Sequence, residues 1–478
     1  MARVIAVDLG AESGRIATVE FNGHRFALNE VHRFSNTSVH VRGTLHWDVL
    51  NLWHEITSGI HVAREGASGI GVATWGVDFA LLDRHDTLIA NPVSYRDSRT
   101  DGMMEWVFDR VPRREIFERT GIQFLILNTL YQLASVAVRT PAQLERAHTL
   151  LMLPDLLNFW LTGEKVCEFS DATTTQFYNP RLGDWDRDLL SRLSLPTHIL
   201  APIIQPGTKI GSYEGISVFA PACHDTGSAV VAVPATTPNF AYISSGTWSL
   251  IGLELDQAVI SDESYAANVT NEGGAGGTFR FLKNVMGLWL AQQCRSAWRA
   301  EGTTYTYDEL TAAASQADAF RSFIDPDEIR FLPPGDMPQR IRAYCHETEQ
   351  PMPETIGQVM RVVYESLALK YRYVLDKMIA ISRQSVDRLH IVGGGTQNKL
   401  LCQMTADAVG CPVVAGPVEG TVLGNAIVQL IALGELASIA DARAVLAQTI
   451  DGVDYQPHQS AAWERAYQRF KNLLDGAG

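Results

Sequence analysis

The sequence predicts an α/β protein built from two related domains, and three observations carry that prediction. At 478 residues the chain exceeds what a single hydrophobic core ordinarily fills. Short β-branched runs, such as Val4–Val7 (VIAV) and Leu389–Val392 (LHIV), alternate with stretches of helical periodicity, such as Met360–Ile379. One device also occurs twice: an apolar strand, a turn of small residues and a second strand. It spans 3–21 with its tip at Ala11–Arg15, and again 239–255 with its tip at Ser244-Ser245-Gly246-Thr247. A duplicated device of this kind suggests two domains facing one cleft.

Charge and cysteine usage narrow the function classes. Basic residues number 39 against 53 acidic ones, a net charge of −14. That balance argues against a nucleic-acid or anionic-membrane partner, which needs a basic footprint. It leaves room for an anionic nucleotide held locally by backbone N–H groups and a metal. The six cysteines show no C-x-x-C spacing and the thirteen histidines no H-E-x-x-H pattern, so a zinc or thioredoxin-like centre is not expected. The opening MARVIAVDLG is interrupted by Asp8 and lacks the apolar core of a signal peptide. No apolar run is long enough to span a bilayer. A cytoplasmic protein is the expectation.

Taken in order, Arg3–Leu9 and Ile16–Phe21 read as a hairpin whose tip carries small residues and Arg15. Such a tip suits a plain turn or a phosphate-facing one. In the second case Gly10, Ser13 and Gly14 allow close approach, Arg15 neutralises charge and Asp8 helps hold hydrated magnesium. Asp48 reads as the cap of a helix running to about Glu65. Ile70–Ala73 is a buried strand that ends in Thr74-Trp75-Gly76-Val77-Asp78. Those last residues fit either a polyol pocket or a core tryptophan beside a turn. Asn128 opens a helix, and Leu151–Gly163 is another, with Pro154 in its first turn and Gly163 as its stop. Asp171–Gln176 is a polar turn.

Val218–Val231 (VFAPACHDTGSAVV) reads as a strand entering a turn and leaving as a helix. It places Asp225 near the helix start, where a carboxylate serves as a cap or as a general base. Beyond it, Asn271–Gly277 reads as a loop, and Lys283–Leu290 as the start of a helix bearing Gln292. Residues 316–353 read as irregular and Pro-rich. Met360–Ile379 carries one apolar stripe, read as core. The run Gly393-Gly394-Gly395 between a strand and a helix lets a flat ligand press on the backbone or simply makes a tight turn.

Collected in order, VDLGAESGR, TWGVDFALLD, YRDSRTDG, NTLYQL, MLPDLLNFWLTG, DATTTQ, CHDTGSAV, YISSGTWSL, NEGGAGG, LKNVMGLWL and LHIVGGGTQN resemble the FGGY family of carbohydrate kinases over nearly the whole chain. TWGVDF, NTLYQL and DATTTQ tilt the resemblance toward its members that act on L-rhamnulose. The resemblance implies two actin-like (ribonuclease-H-like) domains flanking a catalytic cleft. It divides them as 1–238, mainly sugar-binding, and 239–478, mainly ATP-binding. It implies Asp225 as the catalytic base, and Gly76, His224, Thr226 and Asn284 as sugar contacts beside it. Ala11, Glu12, Ser13, Gly14, Arg15, Thr247, Gln292 and Gly394 would bind ATP, and Asp8 would help hold Mg2+. Cys223 stands where relatives often carry Ser or Gly. The activity implied is transfer of a phosphoryl group from ATP to the 1-hydroxyl of L-rhamnulose, with another ketose or polyol as the rival substrate. An actin-like ATPase switch would not need HDT, TWGVD and DATTTQ together. A non-catalytic sugar-binding regulator would be expected to have lost Asp225 or Arg15.

Overall fold

The computed structural model describes residues 1–450, 452–458 and 461–475. In its first part, β1 (Ala2–Leu9) pairs antiparallel with β2 (Ser13–Phe21), which pairs in turn with β3 (Phe26–Ser35). On its other side β1 runs parallel to β4 (Gly69–Thr74). With β5 (Lys209–Tyr213) and β6 (Ile216–Phe219) the sheet reads β5-β6-β4-β1-β2-β3. Val4–Leu9 and all of β4 are buried, so these central strands read as near-continuous apolar runs, interrupted in β1 by Asp8, rather than as alternating ones. Helix α1 (Val49–Ala63) lays Leu52, Ile56 and Ile60 into the core, and Asp48 caps it by accepting from Asn51 N. Helices α2 (Thr129–Arg139) and α3 (Asp225–Val231) complete the elements that matter for the site.

The second sheet repeats the plan. β7 (Phe240–Ser245) and β8 (Trp248–Leu255) form an antiparallel hairpin. After β9 (Thr270–Gly273) and β10 (Phe279–Met286) come α4 (Trp289–Ala300) and α5 (Ile356–Ser382). β11 (Arg388–Val392) lies parallel to β7, and after α6 (Lys399–Val409), β12 (Val413–Ala415) lies parallel to β11. Helix α7 (Gly420–Ala432) and β13 (Val453–Tyr455) follow. The order β10-β8-β7-β11-β12 matches β3-β2-β1-β4-β6 strand for strand. The duplication expected from the two hairpins is therefore real at the level of topology. The apolar stripe of α5, Met360, Val363, Leu367, Tyr371, Val374 and Met378, is buried as expected.

Packing divides the chain into two compact units. The first comprises Met1–Thr236, Glu254–Phe281 and Gly420–Thr449, and the second Thr237–Leu253, Leu282–Glu419 and Ile450–Gly478. These units do not follow the linear division at 238/239, because two later segments pack with the first unit. Helix α7 shows why. Asn425 donates to the carbonyls of Val7 (3.2 Å) and Gly71 (3.0 Å), and Gln429 donates to that of Ile5 (3.0 Å). Both amides are fully buried; apart from the bond that Gln429 Nε2 donates to Asn425 Oδ1 (2.7 Å), the acceptors are carbonyls of the first sheet. An apolar helix does not announce in its sequence which sheet it covers.

Three local readings also change. Asn271–Gly277 begins inside a strand, β9, rather than in a loop. Lys283–Met286 completes β10, and the helix bearing Gln292 starts only at Trp289. FRFLKNVM supports a strand in which Arg280, Phe281 and Leu282 are all buried. Residues 316–353 contain a helix, Met337–Glu347, capped by Asp336, with Pro338 in its first turn.

Gly424 is where α7 meets α3, and a Cβ there would fall on the Ser228 carbonyl oxygen. Gly424→Ala is expected to destabilise the protein by about 1–3 kcal/mol through overpacking. Calorimetric melting would then show a lowered transition, whereas an unchanged one would mean that the two helices separate without cost.

Candidate active site

The turn that delivers α3 is anchored from three directions. Beyond β6, the Cys223 carbonyl accepts from Thr74 N at 2.8 Å, which ties the turn to the end of β4. Cys223 N donates to Glu168 Oε2 at 2.9 Å, and His224 N donates to Ser170 Oγ at 3.1 Å. Ser170 Oγ in turn donates to the same Glu168 oxygen at 2.5 Å. Helix α3 then starts at Asp225, as the sequence reading expected. The Asp225 carboxylate accepts at Oδ1 from Thr226 N (2.6 Å) and Thr226 Oγ1 (3.3 Å). Its side chain keeps 29% of its surface open to solvent on one side, against 10% for His224. Enclosure on the other sides raises the Asp225 pKa. His224 and the Thr226 donors oppose that rise, and the charge of Asp8 adds to it.

Asp8 and Arg15 face each other across the first hairpin, as their register dictates. Arg15 holds Asp8 Oδ2 with Nε at 2.8 Å and Nη2 at 2.6 Å. The tip itself is closed by Gly10 N donating to Ser13 O at 2.9 Å. Asn36 braces it, donating from N to Glu12 O and from Nδ2 to Gly10 O. Glu12 and Ser13 are left exposed, Ala11 half-buried and Gly14 buried. Within the first unit, then, Asp8, Arg15 and Asp225 share one neighbourhood. Asp8, whose charge reaches Asp225, is a hard oxygen donor that fits Mg2+. Among the described residues no group of three or more His, Cys, Asp or Glu side chains is arranged to hold a metal. A magnesium ion that keeps its waters and substrate phosphates does not require one.

Gly76 lies against the DATTTQ segment. A Cβ there would stand 3.0 Å from Thr174 Cγ2 and 3.3 Å from Asp171 Oδ1. Asp171 is fully buried, and its carboxyl is pushed up by burial and by the charges of Asp155 and Glu168. Burial likewise pushes Glu168 up to about 7. The Cys223 thiol is completely enclosed and shifted well upward, chiefly by burial, so it is held as a neutral thiol. Of the two readings of Thr74–Asp78, Asp78 takes the core one. It is fully buried and already accepts from Trp47 Nε1 (2.6 Å), Trp75 Nε1 (2.9 Å), Tyr95 N (3.2 Å) and Gln132 Nε2 (2.9 Å). That carboxylate organises two tryptophans packed at 44° to each other and is not a hydroxyl acceptor for a polyol.

In the second unit the β7–β8 tip is the common neighbour of the predicted nucleotide residues. The Thr247 carbonyl accepts from Gly287 N (3.2 Å) and Trp289 N (3.1 Å), where α4 begins. One turn along, Gln292 keeps Oε1 buried with no hydrogen-bond partner among the described residues. Gly393 and Gly395 press on Ser245 of the same tip, and neither leaves room for a Cβ. Gly394 between them has nothing within 4 Å of a Cβ position, so its backbone is open to a ligand. Asn284 sits on β10, half-buried, beside Lys283, whose ammonium burial pulls down to about 8.

The sequence reading missed four residues that shape this geometry: Glu168, Ser170, Glu272 and Arg280. Arg280 and Glu272 approach the His224 ring, at 3.0 Å and 3.4 Å from Nδ1. Glu272 lay in a stretch read as a loop, and Arg280 in an apolar run where only its charge was anomalous.

Comparison with known proteins adds the following. The model of the FGGY family of carbohydrate kinases, N-terminal domain, matches residues 3–220, and that of the C-terminal domain matches 241–433. A rhamnulokinase of Bacteroides thetaiotaomicron is 44% identical, with 98% of this chain and 99% of that protein covered. One from Pectobacterium carotovorum subsp. carotovorum is 42% identical over 98% of this chain and 96% of its own. The crystal structure of ligand-bound xylulose kinase from Lactobacillus acidophilus superposes with a TM-score of 0.81 at 16% identity, covering 100% of this chain and 98% of that one. The fold is the two-domain actin-like, ribonuclease-H-like α/β fold, and the repeated strand order is its duplication.

Replacing Asp78 with Asn turns an acceptor oxygen into a donor among groups that all donate. Asp78→Asn is expected to destabilise the protein by on the order of 1–3 kcal/mol. Thermal melting is the measurement, and an unchanged melting temperature would contradict the core role of Asp78.

Proposed function

Because this chain belongs to the FGGY family of carbohydrate kinases, we propose that it phosphorylates L-rhamnulose at the 1-hydroxyl with ATP, giving L-rhamnulose 1-phosphate and ADP. The observation that carries the reading is Asp225. It is a carboxylate with a raised pKa, open on one side, fixed at the start of α3 and flanked by His224 and Thr226. The names of the relatives similar over nearly the full length support the choice of sugar.

In this mechanism Asp225 accepts the proton of the 1-hydroxyl late in the transfer. The freed oxygen forms its bond to the γ-phosphorus as the bond to ADP breaks. A carboxylate whose pKa is lifted by its surroundings is better matched to this task at neutral pH than an ordinary one. His224, Thr226, Gly76 and Asn284 orient the sugar. The nucleotide contacts are the hairpin tip Ala11–Arg15 in the first unit and Thr247, Gln292 and Gly394 in the second. Positioning and charge stabilisation supply most of the acceleration in phosphoryl transfer. Mg2+ bound with ATP supplies neutralisation of developing phosphate charge, and Asp8 is the residue that would help hold it. Among the described residues no helix is long and apolar enough to cross a membrane, and we place the reaction in the cytoplasm, where ATP is found.

The test is a coupled ADP-release assay over a panel of sugars. Activity on L-rhamnulose is expected to exceed that on D-xylulose, glycerol and L-rhamnose. Comparable kcat/KM on glycerol would overturn the substrate assignment, and ADP release independent of every sugar would favour an ATPase switch.

A further inference from the structure

Arg280 is an arginine with no exposed surface, on β10, in the first unit. A guanidinium in the protein interior costs several kcal/mol unless charge and hydrogen bonds compensate it. Charge compensation comes from Glu272 on β9, with Oε2 3.3 Å from Nη2. Nε is satisfied by the Gly273 carbonyl at 2.8 Å. The same Nη2 lies 3.0 Å from Nδ1 of His224. A guanidinium nitrogen has no lone pair to offer, so at this distance it donates and Nδ1 accepts. The proton of a neutral imidazole must then reside on Nε2. Glu272 approaches Nδ1 only to 3.4 Å and would favour the opposite tautomer. It is the more distant neighbour and is itself engaged by the guanidinium. A second proton on the ring would set an imidazolium N–H against a guanidinium N–H. Nε2, on the far side of the ring, lies 3.5 Å from Asp225 Oδ1.

We propose that Arg280 is a positioning residue for phosphoryl transfer: it holds His224 as the neutral Nε2–H tautomer, so that a single N–H is presented beside the Asp225 carboxylate and the sugar oxygen it serves. Glu272 is its counter-charge. The catalytic consequence rests on the reading of Asp225 as the base, whereas the tautomer itself does not. With the proton on Nε2, His224 donates to the oxygen that Asp225 deprotonates or to the carboxylate itself, and it does not compete for the transferred proton. With the proton on Nδ1, Nε2 would be a lone pair facing a carboxylate, and the pair would repel.

The experiment is nitrogen NMR on the full-length protein with 15N-labelled histidine, His224 being assigned by its loss in His224→Asn. The wild type is expected to show the Nε2–H pattern for His224 at pH 7.5. In Arg280→Met that pattern gives way to the Nδ1–H form or a mixture, and Arg280→Lys restores it at least in part. Turnover on L-rhamnulose should fall at least about tenfold in Arg280→Met, mainly in kcat, and recover in part with lysine. Wild-type His224 found as the Nδ1–H tautomer or as imidazolium overturns the proposal, and this reading needs no variant to fold. Full kcat in a folded Arg280→Met protein overturns it as well. Failure of every ketose as a substrate would instead sink the kinase reading and leave the tautomer measurement to stand.

Discussion

The site depends on how two backbone amides are held. Cys223 N and His224 N precede a helix that starts immediately, so neither can find a helical partner for itself. Glu168 takes the first directly, and Ser170 takes the second while donating to Glu168. One buried carboxyl and one hydroxyl therefore set the direction in which α3 leaves the sheet, and with it the position of Asp225. Burying a carboxyl without exposed surface is costly, and its pKa rises to about 7 as a consequence. Three donors, Ser170 N, Ser170 Oγ and Cys223 N, offset that cost. Asp225 can then remain half-buried and partly accessible, because rigidity is supplied from behind it.

The two sheets share one strand order yet are used differently. In the first, the strand hairpin sets Asp8 against Arg15, and the following parallel strand runs out into Trp75 and Gly76. In the second, the equivalent hairpin ends in Ser245–Thr247 and the equivalent parallel strand runs into the triple glycine. In the triple glycine, Gly393 and Gly395 press on Ser245 of the second hairpin tip, whereas Gly394 is the residue left facing open space.

Much of this was legible beforehand. Asp225 at the first turn of a helix followed from an apolar run that stops at a polar turn and resumes in small residues. The hairpins followed from β-branched runs interrupted by glycine and serine. What was not legible depended on distant partners. Asp78 looked like a pocket carboxylate because its four donors, on Trp47, Trp75, Tyr95 and Gln132, are spread over 85 residues of chain. Arg280 is flanked by Phe279 and Phe281 in its strand, and its meaning appears only once His224, 56 positions earlier, lies against it. The return of α7 to the first unit turns on Asn425 and Gln429, whose partners lie more than 350 residues away.

The claim at the centre of this account is that the Asp225 carboxylate is a base rather than a helix cap, and kcat of Asp225→Asn tests it most directly. Asparagine keeps the shape and one acceptor oxygen, and as a cap it serves nearly as well as aspartate. It cannot take a proton from a sugar hydroxyl, and general-base assistance is worth roughly 10²–10⁴-fold in rate. The account predicts a folded variant, by circular dichroism, that still binds ketose and ATP but turns over at least about a hundredfold more slowly. A folded variant that keeps more than about a tenth of wild-type kcat would contradict it.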